Sequence, residues 1–384
     1  MRLNPARLGI WAAGFACFIT LYATQPMLQV LAEDFAMPVP RMGETVTAPL
    51  IAVALLAPLV GQISDRLGRR RLIVLAAWAL AVPTALAGLL PGYTTLLVCR
   101  FAQGVCMPFI FALVITFISE EWSGGQALRL TADYQMAAIL GGFCGRFGNG
   151  VVTSYAGWRV SFLASAGAIL VCALLITLYL PRERRFVRQG APSLAGYAAL
   201  FTDRRLLATF FLGFSVLFAL VSGYTFANVL LAAPPWNLGP AALGLVFCVY
   251  TCGTVTTGLA ARLAGRIGRR GSAAVWVAVG AGGILLTLIP ALAPIVIGLG
   301  LLAAGVFPEQ TLSLNFIATS APRARATAVG IYTSCYYLGG AAGGIVPALI
   351  WHRAGWAGCV ALVAALQIFV LIVAWTCWAE KRPA

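Results

Sequence analysis

The stretch Gly61-Gln62-Ile63-Ser64-Asp65-Arg66-Leu67-Gly68-Arg69-Arg70-Arg71 lies between two long apolar runs, and its core returns 200 residues later as Arg266-Ile267-Gly268-Arg269-Arg270. A basic, glycine-containing turn that occurs twice between apolar runs marks a chain built from two related halves. Other pairs keep the register. Pro108 and Pro308 hold the same offset. Leu140-Gly141-Gly142 with Ala156-Gly157-Trp158 returns as Leu338-Gly339-Gly340 with Ala354-Gly355-Trp356, 198 residues on.

Composition says what the apolar runs are for. Of 384 residues, 61% are hydrophobic and 10% charged, with a mean hydropathy of +0.92. Soluble chains have about 45–50% apolar and about 25% charged residues. No soluble core accommodates this excess, which excludes a water-soluble enzyme, a disordered chain and a nucleic-acid-binding domain. A membrane-crossing helix needs about 20 mainly apolar residues. Twelve runs meet that length: 8–31, 43–63, 72–90, 94–118, 130–154, 158–180, 206–231, 241–263, 272–290, 293–318, 326–350 and 356–378. They are continuous, not the short alternating segments of a membrane β-barrel. The first is too long for a signal peptide and is expected to stay as a mature span. The fold expected is therefore an all-α membrane protein. Its domains are a six-helix bundle over 1–180, a cytoplasmic linker over 181–205 and a second six-helix bundle over 206–384.

The net charge of +15 comes from 26 Lys and Arg against 11 Asp and Glu, and its placement sets orientation. Only Arg41, Arg159 and Arg353 fall on one side, with Arg100 and Arg146 inside spans. All the rest, from Arg2, Arg7 and Arg66 through Arg185, Arg188 and Arg323 to Lys381 and Arg382, fall on the other. That bias puts both termini in the cytoplasm. The ten cysteines mostly sit in the apolar runs, none forms a C-x-x-C pair, and His352 is the single histidine. Neither a metal site nor a disulfide framework is expected, nor any cofactor.

The Gly61–Arg71 stretch, together with Arg100-Phe101-Ala102-Gln103-Gly104 in the fourth span, resembles two patterns of the major facilitator superfamily. These are G-x-x-x-D-R-x-G-R-R after helix two and R-x-x-Q-G in helix four. Further stretches resemble its arabinose-efflux-like inner-membrane exporters of the YnfM type: Leu21-Tyr22-Ala23-Thr24-Gln25-Pro26, Tyr336-Tyr337-Leu338-Gly339-Gly340 and Trp351-His352-Arg353-Ala354-Gly355-Trp356. The resemblance implies the major facilitator fold, with twelve helices in two pseudo-symmetric bundles and substrate held between them. It also implies that Gly61, Asp65, Arg66, Gly68, Arg69 and Arg70 form a gating motif. Asp65 would latch onto the start of helix eleven, near 326–330, while Glu120 and Glu121 extend the network to the loop arginines. On physical grounds Gly61 and Gly68 are expected to permit close helix approach and a tight turn. Gly265 stands where the second copy would need an acid, so the latch is asymmetric.

Ionisable side chains deep in a span cost about 2.5–3.5 kcal/mol on insertion scales and are functional candidates by default. Glu309, directly after Pro308 in the tenth span, is a candidate for reversible proton binding or substrate contact. Pro308 is expected to break that helix. Arg100 is expected to pair inside a cavity, and the resemblance implies a proton-transfer or substrate role for it, with Gln103 beside it. Arg146 interrupts a glycine-rich packing run in the fifth span. The antiporter pattern G-x-x-x-G-P-x-x-G-G has proline there and glycine where Asn149 stands. A buried cation at that position is suited to an anionic substrate. Asp133, four residues from Arg129, is expected to pair locally. Gln25, Tyr22, Tyr134, Tyr224, Asn228 and Tyr336 complete the set expected to line a cavity for an amphipathic organic solute.

The function expected is secondary active transport of a small organic solute by alternating access, with proton-coupled efflux ahead of proton-coupled uptake or a non-transporting sensor. The partners are the solute, protons and the lipid bilayer, with no nucleic acid, and the protein is expected to act as a monomer. No G-x-x-x-x-G-K-[ST] motif occurs, so this chain supplies no ATP coupling of that kind.

Overall fold

The computed structural model describes residues 5–184, 200–321 and 325–378, and every described element is helical. Arg2, Arg185, Arg188, Arg323, Lys381, Arg382 and most of the expected linker lie outside the described residues. So do the side chains of 325 and 326, where the Asp65 latch would begin.

The first half runs α1 (Pro5–Leu21), α2 (Leu28–Asp34), α3 (Glu44–Leu56), α4 (Val60–Leu67), α5 (Arg69–Leu89), α6 (Tyr93–Cys106), α7 (Pro108–Glu121), α8 (Gly124–Phe143) and α9 (Asn149–Tyr179). The second runs α10 (Arg204–Ala232), α11 (Pro240–Val246), α12 (Tyr250–Leu286), α13 (Leu292–Ser320) and α14 (Arg325–Cys377). Among the described residues, nine helical runs are long and apolar enough to cross a membrane. Three of them turn a corner at a left-handed glycine: α9 at Gly157 (φ 84°, ψ 162°), α12 at Gly268 (φ 76°, ψ 166°) and α14 at Gly355 (φ 53°, ψ −145°). Dividing the runs at those corners yields the twelve spans expected. Large apolar side chains such as Leu55, Val98, Leu178, Val255 and Leu349 lie on the outside, as a hydrocarbon surround favours.

By backbone proximity the chain divides into two compact units, Met1–Ala191 with Asn237–Leu245, and Pro192–Trp236 with Val246–Ala384. The duplication is written into the backbone of each. Gly68 (φ 85°, ψ 146°) and Gly268 share one conformation at an offset of 200. In the first unit a Cβ on Gly141 would stand 2.6 Å from the Phe15 carbonyl, and one on Gly145 would strike that of Ile19. In the second unit Gly339 meets the Phe214 carbonyl and Gly343 that of Phe218 in the same way. The glycines are there because α1 on α8, and α10 on α14, lie too close for any side chain between them. Gly61 differs from expectation: among the described residues nothing lies within 4 Å of where its Cβ would be, so none of them is in the close approach expected there.

Prolines inside spans free carbonyls that have no water to turn to, and an unsatisfied one costs about 2–7 kcal/mol. Pro49 removes the donor for the Thr45 carbonyl, which accepts instead from Arg100 Nε at 2.9 Å. Pro308 does the same to Ala304, whose carbonyl accepts from Thr256 Oγ1 at 2.9 Å. Pro347 does so to Gly343, which accepts from Ser222 Oγ at 3.2 Å. Rescued in this way, α13 runs unbroken through Pro308, contrary to expectation.

Candidate functional site

The turn between α4 and α5 is a buried ion network. Arg69 is 2% exposed, and its Nε and Nη2 each donate to Glu120 at 2.7 Å, a bidentate pair. Its Nη1 donates to Ser64 Oγ at 2.6 Å, and Asp65 Oδ1 lies 3.2 Å from Nη2. Ser64 donates in turn to the Gly61 carbonyl. Gly68 holds the left-handed turn, and a Cβ there would stand 3.3 Å from the Glu183 carboxylate, which accepts from the Arg70 backbone N–H. That places an acid at the start of α5, where the helix dipole favours it. The Arg70 side chain reaches the Leu180 and Thr177 carbonyls at 2.8 and 2.9 Å. Glu121 accepts from the Arg184 backbone N–H. Arg66 points outward and is exposed. In the second copy Arg269 lies 5.0 Å over the Phe316 ring, which itself stacks on Trp378, and Arg270 reaches towards the Thr376 carbonyl.

Arg100 is 0% exposed and neither snorkels nor meets a carboxylate. Besides Thr45, its guanidinium donates to the carbonyls of Thr20 at 2.7 Å and Leu21 at 2.6 Å, and to Gln103 Oε1 at 2.5 Å. Gln103 passes the chain on to Thr84 Oγ1 at 3.0 Å. Thr20 and Leu21 are the last residues of α1, where the helix opens before the short 3₁₀ turn Gln25–Met27. Arg100 thus caps an interrupted helix inside the membrane, neutralising orphan carbonyls at its negative end.

The same interruption carries Tyr22 and Gln25, and Arg146 meets both. It sits in a single π-helical turn, Cys144–Gly148, between α8 and α9. Its Nε donates to Gln25 Oε1 at 2.9 Å, its Nη1 to the Gly142 carbonyl at 3.1 Å, and its guanidinium lies 4.3 Å over the Tyr22 ring. Asn149, the first residue of α9, accepts from Ser161 and Ser165 at 2.8 Å each and ties the first arm of α9 to its second. Tyr134 is buried on α8 near Cys17, with no hydrogen-bond partner for its hydroxyl among the described residues. Asp133 does not pair with Arg129; Arg7, on α1, holds it through two bonds of 2.7 and 2.8 Å.

In the second unit, Glu309 is 1% exposed, and neither carboxyl oxygen has a hydrogen-bond partner among the described residues. Its surroundings include Tyr332 and Ser313. Tyr224 is buried, donates to the Leu299 carbonyl at 2.9 Å and packs on Tyr250 at 4.4 Å and Phe247 at 5.2 Å. Asn228 is buried one turn further along α10. Tyr336 is half-buried between Tyr332 and Tyr337.

One buried acid–base network, an arginine capping a broken helix and a lone carboxyl inside a span are set among apolar membrane-length helices. The Major Facilitator Superfamily model matches residues 10–234, more than half the chain. The chain belongs to that superfamily and is a membrane-spanning secondary transporter, not an enzyme. It is 28% identical over 371 residues to the Inner membrane transport protein YnfM of Escherichia coli K12, covering 95% of this chain and 88% of that one. The fold is also that of the nucleoside transporter NupG, solved as a point mutant, at a TM-score of 0.78 and 15% identity over 97% of this chain and 100% of that one. A bacterial homolog of the human lysosomal transporter Spinster gives a TM-score of 0.79 at 14% identity, over 98% of this chain and 96% of that one.

Sequence reasoning missed Ser64, Thr84, Thr256 and Glu183. Hydroxyls and a single acid beyond the sixth span carry no pattern that would single them out.

Proposed function

We propose that this transporter exports a small organic solute across a bacterial inner membrane in exchange for protons, by alternating access, with both termini in the cytoplasm. The membrane assignment rests on the likeness to YnfM, and the orientation on the crowding of basic residues on one side. What carries the coupling is Glu309. A carboxyl 1% exposed, with no partner for either oxygen among the described residues, has nothing to offset a negative charge. Such a carboxyl is suited to taking up a proton within the membrane and yielding it where water or a cation reaches it. Thr256 satisfies the carbonyl that Pro308 frees, which leaves Glu309 on an intact helix as a proton site. The motif residues Gly61, Asp65, Arg66, Gly68, Arg69 and Arg70 gate one end. Arg100 and Gln103 brace the broken first helix, and Tyr22, Gln25, Tyr134, Arg146, Tyr224, Asn228 and Tyr336 serve the solute.

The test is solute-dependent proton movement in proteoliposomes carrying an entrapped pH dye, screened over sugars, amino-acid derivatives, metallophores, organic acids and cationic drugs. Exchange predicts that protons move opposite to the solute. Protons moving with the solute would replace efflux by symport, and solute flux without proton movement would remove the coupling.

A further inference from the structure

The second copy of the arginine turn, at the Gly268 corner of α12, stands beside an apolar groove that is open to the surroundings. We propose that this corner binds one anionic phospholipid, with an acyl chain in the groove and the phosphate on Arg270. The groove, of about 330 Å³, lies between the second arm of α12 and the last turns of α14. Ala274, Leu371, Ile372, Trp375 and Thr376 line it. Ile372 and Trp375 are 53% and 54% exposed, so its walls face outward, where a bilayer supplies hydrocarbon. Acyl chains fill any such groove; selectivity for one lipid depends on the group at its end.

Arg270 is that end. It stands four residues before Ala274 on α12, which puts the two on one face. Its Nη2 reaches the carbonyl of Thr376, itself a wall of the groove, at 3.5 Å. Among the described residues that is the one hydrogen bond its side chain makes, and its shielded Nε has none. Arg70, its counterpart 200 residues earlier, is held more closely. There Nε and Nη2 donate to the Leu180 and Thr177 carbonyls at 2.8 and 2.9 Å, and the Glu183 carboxylate sits on the backbone N–H. The second unit supplies no such acid among the described residues. Its described carboxylates are Asp203, which caps α10, and the buried Glu309. Against them, Arg262, Arg266, Arg269 and Arg270 fall within nine residues at this turn. Basic pockets between spans at the membrane face hold anionic headgroups, and a guanidinium pairs with phosphate through two parallel bonds. The Trp375 indole suits the boundary between hydrocarbon and headgroup. An apolar groove with a cation at its end matches both parts of a phospholipid; a soluble anion would use only the second.

The purified full-length protein, stripped of lipid in detergent, tests this through its melting temperature with dioleoyl phosphatidylglycerol, dioleoyl phosphatidylcholine or inorganic phosphate. Phosphatidylglycerol is expected to raise it, and the other two to leave it unchanged. Arg270→Gln removes the charge, and Ala274→Leu fills the groove while leaving the arginine in place. Each is expected to need at least tenfold more phosphatidylglycerol for the same shift. Arg353→Gln, on the opposite side, and Glu380→Gln, outside the described residues, are expected to respond as the wild type does. Native mass spectrometry adds a readout that mere destabilisation does not move. From an equimolar mixture of the two lipids the wild type is expected to retain one phosphatidylglycerol, and Arg270→Gln to lose that preference. Equal stabilisation by phosphatidylcholine, no shift from either lipid, or an unchanged response in Arg270→Gln or Ala274→Leu overturns the proposal. A response to inorganic phosphate equal to that of the lipid would make this a free-anion site and also overturns it. So does a phosphatidylglycerol response that appears only in Glu380→Gln, which would mean that the chain's own acid fills the place.

Discussion

Arg69 and Arg66 stand three residues apart in one motif, yet the structure asks different things of them. Arg69 is buried against Glu120, Asp65 and Ser64, whereas Arg66 is exposed. Removing one partner of a buried pair strands the other, at a cost of about 3–5 kcal/mol. Glu120→Gln is therefore expected to lower the melting temperature of the detergent-solubilised protein markedly, while Arg66→Ala changes stability by less than about 0.5 kcal/mol. Equal effects of the two would remove the network from the account. The motif was legible from its residue types, but the second acid at the turn was not. Glu183 lies 113 positions from Arg70, and only the left-handed turn at Gly68 brings its carboxylate to the start of α5. Arg100 hid its role for a different reason. Its acceptors are mostly backbone carbonyls, which every residue possesses, so only the opening of α1 after Leu21 marks them.

At the scale of elements, the interrupted and the rescued helices obey one rule: inside a bilayer every freed carbonyl must find a donor on another span. Arg100, Thr256 and Ser222 are those donors. The glycine contacts supply the complementary rule, that paired spans approach to backbone contact only where no side chain intervenes. Gly339→Val is expected to destabilise the second unit by about 1–3 kcal/mol or more, since its Cβ would run into the Phe214 carbonyl. Gly61→Ala, with open space around it, is expected to be neutral by the same thermal assay. A tolerated Gly339→Val would mean that α10 and α14 are not packed as described. Hydropathy reads the spans well in number but less well in extent. The fifth is expected to begin at 130 and its helix begins at Gly124, because the polar turn Gly124–Arg129 is helical although its composition does not suit hydrocarbon. The corners at Gly157, Gly268 and Gly355 are foreshadowed by the repeated Arg-x-Gly-Arg-Arg and Ala-Gly-Trp stretches, where glycine permits the positive φ.

Over the whole molecule, the duplication explains how one motif vocabulary serves two units that differ in charge. The first turn is an acid–base network; the second seats Arg269 on Phe316, with Gly265 where Asp65 stands in the first. Among the described residues, the only membrane-buried carboxyl with no hydrogen-bond partner, Glu309, belongs to the second unit, and the membrane-buried arginines Arg100 and Arg146 belong to the first. Moving one charge through the membrane potential changes its energy by about 2.3 kcal/mol per 100 mV, so a proton-driven transporter needs a titrating group well inside the field. Asp65 and Glu120, at helix ends, and Asp133, held by Arg7, are poorly placed for that; Glu309 is well placed. Glu309→Gln keeps size and hydrogen-bonding capacity but removes titration. In proteoliposomes with an imposed pH gradient, the wild type is expected to accumulate its solute against a concentration gradient and also to exchange labelled for unlabelled solute. The variant is expected to keep the exchange and to lose at least tenfold of the gradient-driven accumulation. Accumulation by Glu309→Gln with wild-type pH dependence would contradict the account and make Glu309 a structural residue.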